Sequence, residues 1–231
     1  MKKIALLVAA LAAGFSLRAA DEPQSAYSVS LDFPYVSSYV FRGKEYAKDS
    51  IQPSLEVTVG GFYGGVWTSQ PIAKNYDNEV DLYLGYRKKL NDSLDIDLGA
   101  TLYCYPELKK STGQNNTTSE WYVGLNGNVG GFKPGAYAYY DWTLEAWTGQ
   151  LQLGYSIALP RIGTSIDVTA DVGRVSTNNG EHYNYCGFGF NVPYKLNDNA
   201  TVNAGVGYAD SGADGTRKDI IYFTAGITIG F

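Results

Sequence analysis

The side chains best equipped for chemistry in this chain are acids and phenols set two residues apart. Glu79 and Asp81, Asp95 and Asp97, Tyr103 and Tyr105, Tyr137 and Tyr139, and Tyr183 and Tyr185 all stand at i, i+2. In a strand that spacing puts both members of a pair on one face. A carboxylate pair so placed could hold a hard cation such as Ca²⁺. The same spacing follows from period-two polarity alone, and no metal or other cofactor is expected. Paired phenols offer a flat apolar face and a hydroxyl, a surface that grades sugars or small aromatic solutes.

Catalysis finds little support. The only histidine, His182, follows Glu181 in a loop-like stretch after Thr177-Asn178-Asn179-Gly180. No G-x-S-x-G elbow, H-E-x-x-H helix or Cys-His pair is present, so the machinery that activates a nucleophile is missing from the sequence. Cys104 and Cys186 fall on apolar rows far apart in order and read as small hydrophobes rather than a disulfide.

The elements that position these residues read as strands. At the C-terminus, Ile221, Phe223, Ala225, Ile227, Ile229 and Phe231 form one apolar row, with Tyr222, Thr224, Gly226, Thr228 and Gly230 between them. Such alternation over about ten residues suits a tilted strand crossing a bilayer, with lipid on one side and a wet lumen on the other. Similar rows recur from Tyr27 to Phe231. They total about twelve strands, with ten as the alternative, and closure favours an even number.

Connection lengths alternate as well. Short ones are Gly60-Gly61, Lys88 to Asp92, Gly130-Gly131, Leu159 to Thr164 and Lys195 to Asn199. Long ones are Arg42 to Ser50, Ser69 to Asp77, Glu107 to Thr117, Asp141 to Ala146, Arg174 to His182 and Asp210 to Lys218. Short periplasmic turns and longer outer loops are the rhythm of a closed antiparallel transmembrane barrel with both termini periplasmic. A soluble β-sandwich also alternates, but accounts for neither this rhythm nor the two chain ends.

Residues 1–20 read as a signal peptide. A basic start, Met1-Lys2-Lys3, precedes an apolar run to Leu17 and a small-residue exit at Ala19-Ala20, where cleavage is expected. One barrel domain, 21–231, follows without a Pro- or Ser-rich linker. Phe231 matches a C-terminal signal for the barrel assembly machinery, so outer-membrane lipid and that machinery are expected partners. Gly 27 and Tyr 20 in 231 residues, with one Met, fit a β-rich chain with aromatic girdles. A formal charge of -5 with no basic stripe argues against nucleic acid.

One succession of motifs is more specific. Ser38-Tyr39-Val40-Phe41-Arg42-Gly43 closes the first strand. Gln52-Pro53, then Gly61-Phe62-Tyr63-Gly64-Gly65-Val66-Trp67-Thr68-Ser69, then Glu79-Val80-Asp81-Leu82-Tyr83-Leu84-Gly85-Tyr86 follow. This order resembles the TorF family of proteobacterial porins, with Tyr39, Phe41, Arg42 and Gly43 as its signature. The resemblance implies a Gram-negative outer-membrane barrel with a pore function, and brings neither a substrate nor catalytic residues.

Strand parity assigns Tyr83, Tyr103, Tyr105, Tyr122, Tyr137, Tyr139, Tyr183, Tyr185 and Tyr222 to the inner face. Glu79, Asp81, Asp95, Asp97, Glu120 and Asp171 join them with few basic residues, chiefly Arg87. The reading is a porin-like channel for passive diffusion of small hydrophilic solutes or ions, with a weak cation preference. The alternative is a non-conducting structural or ligand-binding barrel, its tyrosines packed as a plug and its acids held in salt bridges. Either way Ile227 faces lipid, so Ile227→Asp should impair assembly, read as loss of the heat-modifiable folded band from outer-membrane fractions. Normal assembly of that variant would count against the parity.

Overall fold

Each alternating row becomes a strand because one face can meet an apolar surround while the backbone pairs with its neighbours. The computed structural model describes residues 27–108, 116–212 and 219–231. The expected leader at 1–20 and parts of two long connections, 109–115 and 213–218, lie outside them. The described residues form thirteen strands and no helix. These are β1 (Tyr27–Phe41), β2 (Lys44–Ile51), β3 (Ser54–Val59), β4 (Phe62–Pro71), β5 (Glu79–Asn91), β6 (Leu94–Cys104), β7 (Thr117–Gly127), β8 (Phe132–Asp141), β9 (Ala146–Leu159), β10 (Thr164–Thr177), β11 (His182–Lys195), β12 (Ala200–Ser211) and β13 (Ile220–Gly230).

From β4 onward each strand pairs antiparallel with the next, and β13 returns to β1, where Ser30 meets Gly230 and Val36 meets Thr224. The sheet is therefore closed. β3 and β2 lie end to end along β1, β3 against Tyr27 to Asp32 and β2 against Tyr35 to Phe41. Counted as one stave, they make a twelve-stave barrel. The break falls at Gln52-Pro53, because proline has no N–H for the ladder. Gln52 N still donates to Pro34 O at 2.8 Å, which keeps the stave attached. Both ends of the barrel meet at one rim, where Val29 and Phe231 exchange backbone hydrogen bonds of 2.9 and 3.0 Å.

The outer surface is apolar all round. Leu82, Leu84, Leu98, Leu102, Leu125, Leu151, Leu153, Val172, Phe188, Phe190, Ile221 and Phe223 stand exposed on successive strands. In water such a belt would drive aggregation; in hydrocarbon it is the contact face. Aromatic pairs edge the belt at both rims. Phe62–Tyr86 and Phe132–Tyr155 lie at the short-turn end, each with centroids 4.6 Å apart. Tyr140 packs on Trp142 and Trp147 at the other, at 4.9 and 4.7 Å.

Inside, tyrosine and glycine are matched across the strands. Tyr63 stands opposite Gly85, Tyr83 opposite Gly65, Tyr122 opposite Gly99, Tyr137 opposite Gly124, Tyr185 opposite Gly173 and Tyr222 opposite Gly207. In each pair the phenol lies over the glycine, so that a β-carbon there would overlap the ring. A glycine inside a strand gives up entropy and packing. The neighbouring ring restores the packing, and the missing side chain gives the ring room to lie along the wall.

Two expected long connections fail: β10 runs on to Thr177, so the link expected from Arg174 to His182 spans only residues 178–181. Arg42 to Ser50 is not a long connection: Arg42 and Gly43 form a two-residue turn with φ of 44° and 73°, and β2 runs back at once as a strand. Positive φ at both central residues is the geometry of a tight hairpin. Patterning could not show this, because β2 (Lys-Glu-Tyr-Ala-Lys-Asp-Ser-Ile) carries charge where a wall strand would be apolar.

Gly124→Val tests the matched pairs. Valine favours strands, so without the ring contact the change would stabilise. Overlap with Tyr137 should instead lower stability by about 1–3 kcal/mol. Denaturant unfolding in detergent would show a lower midpoint, partly restored by adding Tyr137→Ala. An unchanged or raised midpoint for Gly124→Val would refute the matching.

Candidate functional site

The tip of the β1–β2 hairpin crosses the lumen. β1 leaves β13 at Val36, and β2 touches β4 only through Ser50 and Ile51. Between those points the hairpin leans inward, and Ser38, Tyr39, Phe41, Arg42 and Ala47 are all buried. A strand inside the lumen has no lipid side, so burial on both faces replaces alternation. That is why Tyr39 and Phe41, outward by parity with Phe33, lie in the interior. Tyr39 packs on Trp67 of β4 at 5.3 Å and on Tyr46 at 5.7 Å. Gly43 reaches the wall at β11 and β12, where an added β-carbon would fall 2.6 Å from Ser211 Cβ and 2.8 Å from Tyr185 Cβ. No larger residue fits that approach.

Arg42 anchors the tip. Its Nη1 donates to Glu120 Oε2 at 2.8 Å and its Nη2 to Glu120 Oε1 at 2.9 Å, with both side chains almost wholly excluded from solvent. Glu120 stands on β7, across the barrel from β1. Tyr103 donates to Glu120 Oε1 at 3.0 Å, and the guanidinium lies 4.7 Å from the Tyr139 ring centre. The planar fork matches the carboxylate, and the phenol face adds cation–π attraction at a buried site. Lys44 caps Tyr183 similarly, at 4.6 Å.

Below the hairpin the two sides of the lumen differ. Along β4–β8, phenols fill the space around Asp97. Tyr63 donates to Asp97 Oδ1 at 2.6 Å, while Tyr137 and Arg87 donate to Oδ2 at 3.2 and 3.0 Å. Tyr122 contacts Tyr63 through its hydroxyl, and Asn126 donates to Tyr137 at 2.7 Å. Along β9–β13 and β1 the inward residues are smaller and polar, and a cavity of about 270 Å³ remains. Asp32, Lys133, Gln150, Asp167, Asp171, Asn191, Asn203, Tyr222 and Thr228 line it, with Arg42 and Gly43 at its upper end. Part of this lining is tied together: Thr228 donates to Asp32 at 2.5 Å, Asn203 to Thr228 at 3.1 Å and Asn191 to Asn203 at 3.3 Å.

The residues singled out from sequence therefore separate into groups. Tyr103, Tyr139 and Tyr185 gather with Glu120 around Arg42. Tyr122, Tyr137, Asp97 and Arg87 form the lower network. Tyr83 lies near Glu56, and Tyr222 lies near Asp171 on the hollow side. Glu79, Asp81 and Tyr105 are buried beneath the base of the hairpin. Tyr183 packs on Tyr185 at 6.4 Å, and Asp95 sits near the short-turn rim opposite Lys89 and Asn126. Tyr63 joins the lower network without a signal in the sequence, because the Gly-rich β4 gives no phase; its register opposite Gly85 supplies one. Gln150, Asn191, Asn203 and Thr228 carry no charge to single them out in the sequence, although parity marks them as inward. Among the described residues no group of three or more His, Cys, Asp and Glu side chains could hold a metal. The His182 ring lies 3.2 Å from the Gly180 carbonyl at the start of β11.

Comparison with known proteins agrees with the fold. A family model described as "Bacterial protein of unknown function (Gcw_chp)" matches residues 20–230. A solved KdgM porin shares 12% identity at a TM-score of 0.58, over 87% of this chain and 99% of that one. A KdgM porin in complex with disordered oligogalacturonate gives 12% and 0.56, over 88% and 99%. The NanC porin gives 16% and 0.57, over 87% and 98%. At these identities the likeness is one of fold. No curated protein matches the sequence.

Removing one partner of the buried ion pair strands the other charge, so Glu120→Ala should cost about 3–5 kcal/mol. Replacing both residues, Arg42→Met with Glu120→Met, should cost clearly less, because no charge is left buried. Unfolding midpoints of the refolded variants in detergent check this. Equal losses for the single and double variants would show that the pair contributes packing alone.

Proposed function

The chain belongs to the Gcw_chp family of bacterial proteins of unknown function, and from that premise we propose that it is a porin-like channel of the Gram-negative outer membrane. It passes small hydrophilic solutes or ions through the hollow side of its lumen. The observation that carries this reading is the unfilled polar flank of about 270 Å³ along β9–β13 and β1, inside a barrel whose outer surface is apolar. A barrel serving only as a scaffold would fill that space as it fills the tyrosine side. The expected leader, Phe231 as an assembly signal, and the resemblance to the TorF porins support the same location. Both termini then face the periplasm, and the hairpin guards the outer mouth.

Charge supports small cations or neutral solutes over polyanions. Glu120 and Asp97 are compensated by Arg42 and Arg87, whereas Asp32, Asp167 and Asp171 face the cavity with Lys133 as the basic residue of its lower lining. A lumen with that excess concentrates cations and repels anions. The neighbouring KdgM porin was solved with oligogalacturonate, an anionic sugar polymer; the acidic flank here suits a different cargo. A second reading has its own observation. The hairpin packs so closely against Tyr185 and Ser211 that the latched barrel could be sealed.

Planar-bilayer recording separates the two. Wild-type protein should give small, cation-selective steps, and replacing Tyr39, Phe41 and Arg42 together with Ser should enlarge them. Asp167→Asn with Asp171→Asn should move the reversal potential in a salt gradient towards zero. A silent wild type whose hairpin variant conducts would establish the sealed barrel, silence of both would refute the channel, and anion selectivity would refute the charge argument.

A further inference from the structure

Beneath the hairpin base lies a polar cluster that the channel reading does not use. Glu79 and Asp81 stand two apart at the start of β5, and both are almost completely buried. Neither enters an ion pair among the described residues. The basic side chains of the hairpin are already engaged, Arg42 with Glu120, Lys48 with Glu45 and Lys44 over the Tyr183 ring. Two phenols face the same place. Tyr39 comes from the hairpin and Tyr105 from the residue after β6, both more than nine-tenths buried and within electrostatic range of the two carboxyl groups. Glu79 Oε1, both carboxylate oxygens of Asp81 and both phenol oxygens are buried without a hydrogen-bond partner.

Five orphaned oxygens around two adjacent carboxylates make an unstable arrangement unless something positive joins them. A single proton shared by Glu79 and Asp81 would relieve part of the repulsion. Tyr39 lies close enough to Glu79 to share in that relief, so the Tyr105 oxygen and the remaining carboxylate oxygen are the groups left unmet. A divalent cation balances the formal charge of the pair and offers a positive centre to the oxygens gathered around it. The donor set is oxygen only, with no imidazole or thiolate ligand, which selects a hard ion. Calcium tolerates irregular geometry and completes its shell with water, which suits a site built from two strands and a hairpin. Access is provided from the cavity, whose lining extends to Tyr39, Gln52 and Trp67 beside Asp81.

We propose that Glu79 and Asp81, with the hydroxyls of Tyr39 and Tyr105, form a binding site for a hard divalent cation, calcium in the first instance. The bound ion ties the hairpin to β5 and to the end of β6, a second attachment beside the Arg42–Glu120 pair. The site stands independently of whether the lumen conducts, since its readouts are binding and stability.

The full chain, refolded in detergent and stripped with EDTA, is the material for the test. Added Ca²⁺ should raise Tm, and EDTA should reverse the rise. Tb³⁺, which substitutes for calcium, should give luminescence sensitised by the adjacent phenols, and Ca²⁺ should quench it by displacement. Both responses should vanish in Glu79→Gln with Asp81→Asn, while Tyr105→Phe should lower the calcium affinity and keep the fold. Should the double variant not refold, the wild-type comparison with and without Ca²⁺ decides alone. A wild type whose Tm ignores Ca²⁺, or Tb³⁺ emission that survives Glu79→Gln with Asp81→Asn, would overturn the site.

Discussion

A guanidinium taken out of water must find a carboxylate with matching geometry, and in this barrel the search crosses the whole lumen. Arg42 leaves one wall on a hairpin and meets Glu120 on the opposite one in a bidentate pair. Much of the outer half follows from that requirement. The turn must be tight, and Gly43 has to pass close to Tyr185 and Ser211. The hairpin edges must give up pairing with β13 and β4. Tyr103 donates to the carboxylate and the Tyr139 face lies against the guanidinium, which offsets part of the cost of burying the pair, although Arg42 Nε keeps no hydrogen-bond partner. The hairpin in turn covers the carboxylates at the head of β5.

The lower lumen obeys a different constraint, that of volume. Twelve staves enclose more space than inward side chains of ordinary size can fill. On one side the chain fills it with phenols laid over glycines, hydrogen-bonded through Asp97. On the other it uses Gln, Asn, Thr and Asp, which satisfy one another along the wall and leave the centre hollow. The division follows strand order, so the hollow flank lies along β9–β13 and β1. A symmetric lining would have produced either a uniform pore or a uniform plug.

What the sequence alone determined is whatever depends on local periodicity. Strand positions, the outward apolar rows, closure on an even number and the inward parity of Tyr103, Tyr122 and Tyr137 all follow from the alternation of side chains along an extended backbone. That rule is local and holds for any wall strand with lipid on one face and water on the other. It breaks down at Arg42 to Ser50, because a strand within the lumen has no lipid face and its residues need not alternate. Only the tertiary structure decided that Arg42 meets Glu120, 78 residues along the chain. The same is true of the tyrosine–glycine pairings, which depend on register between strands, and of the hollow side, which depends on which staves face each other across the lumen. Such relations join positions distant in sequence through the closure of the barrel, and no periodicity along a single strand encodes them.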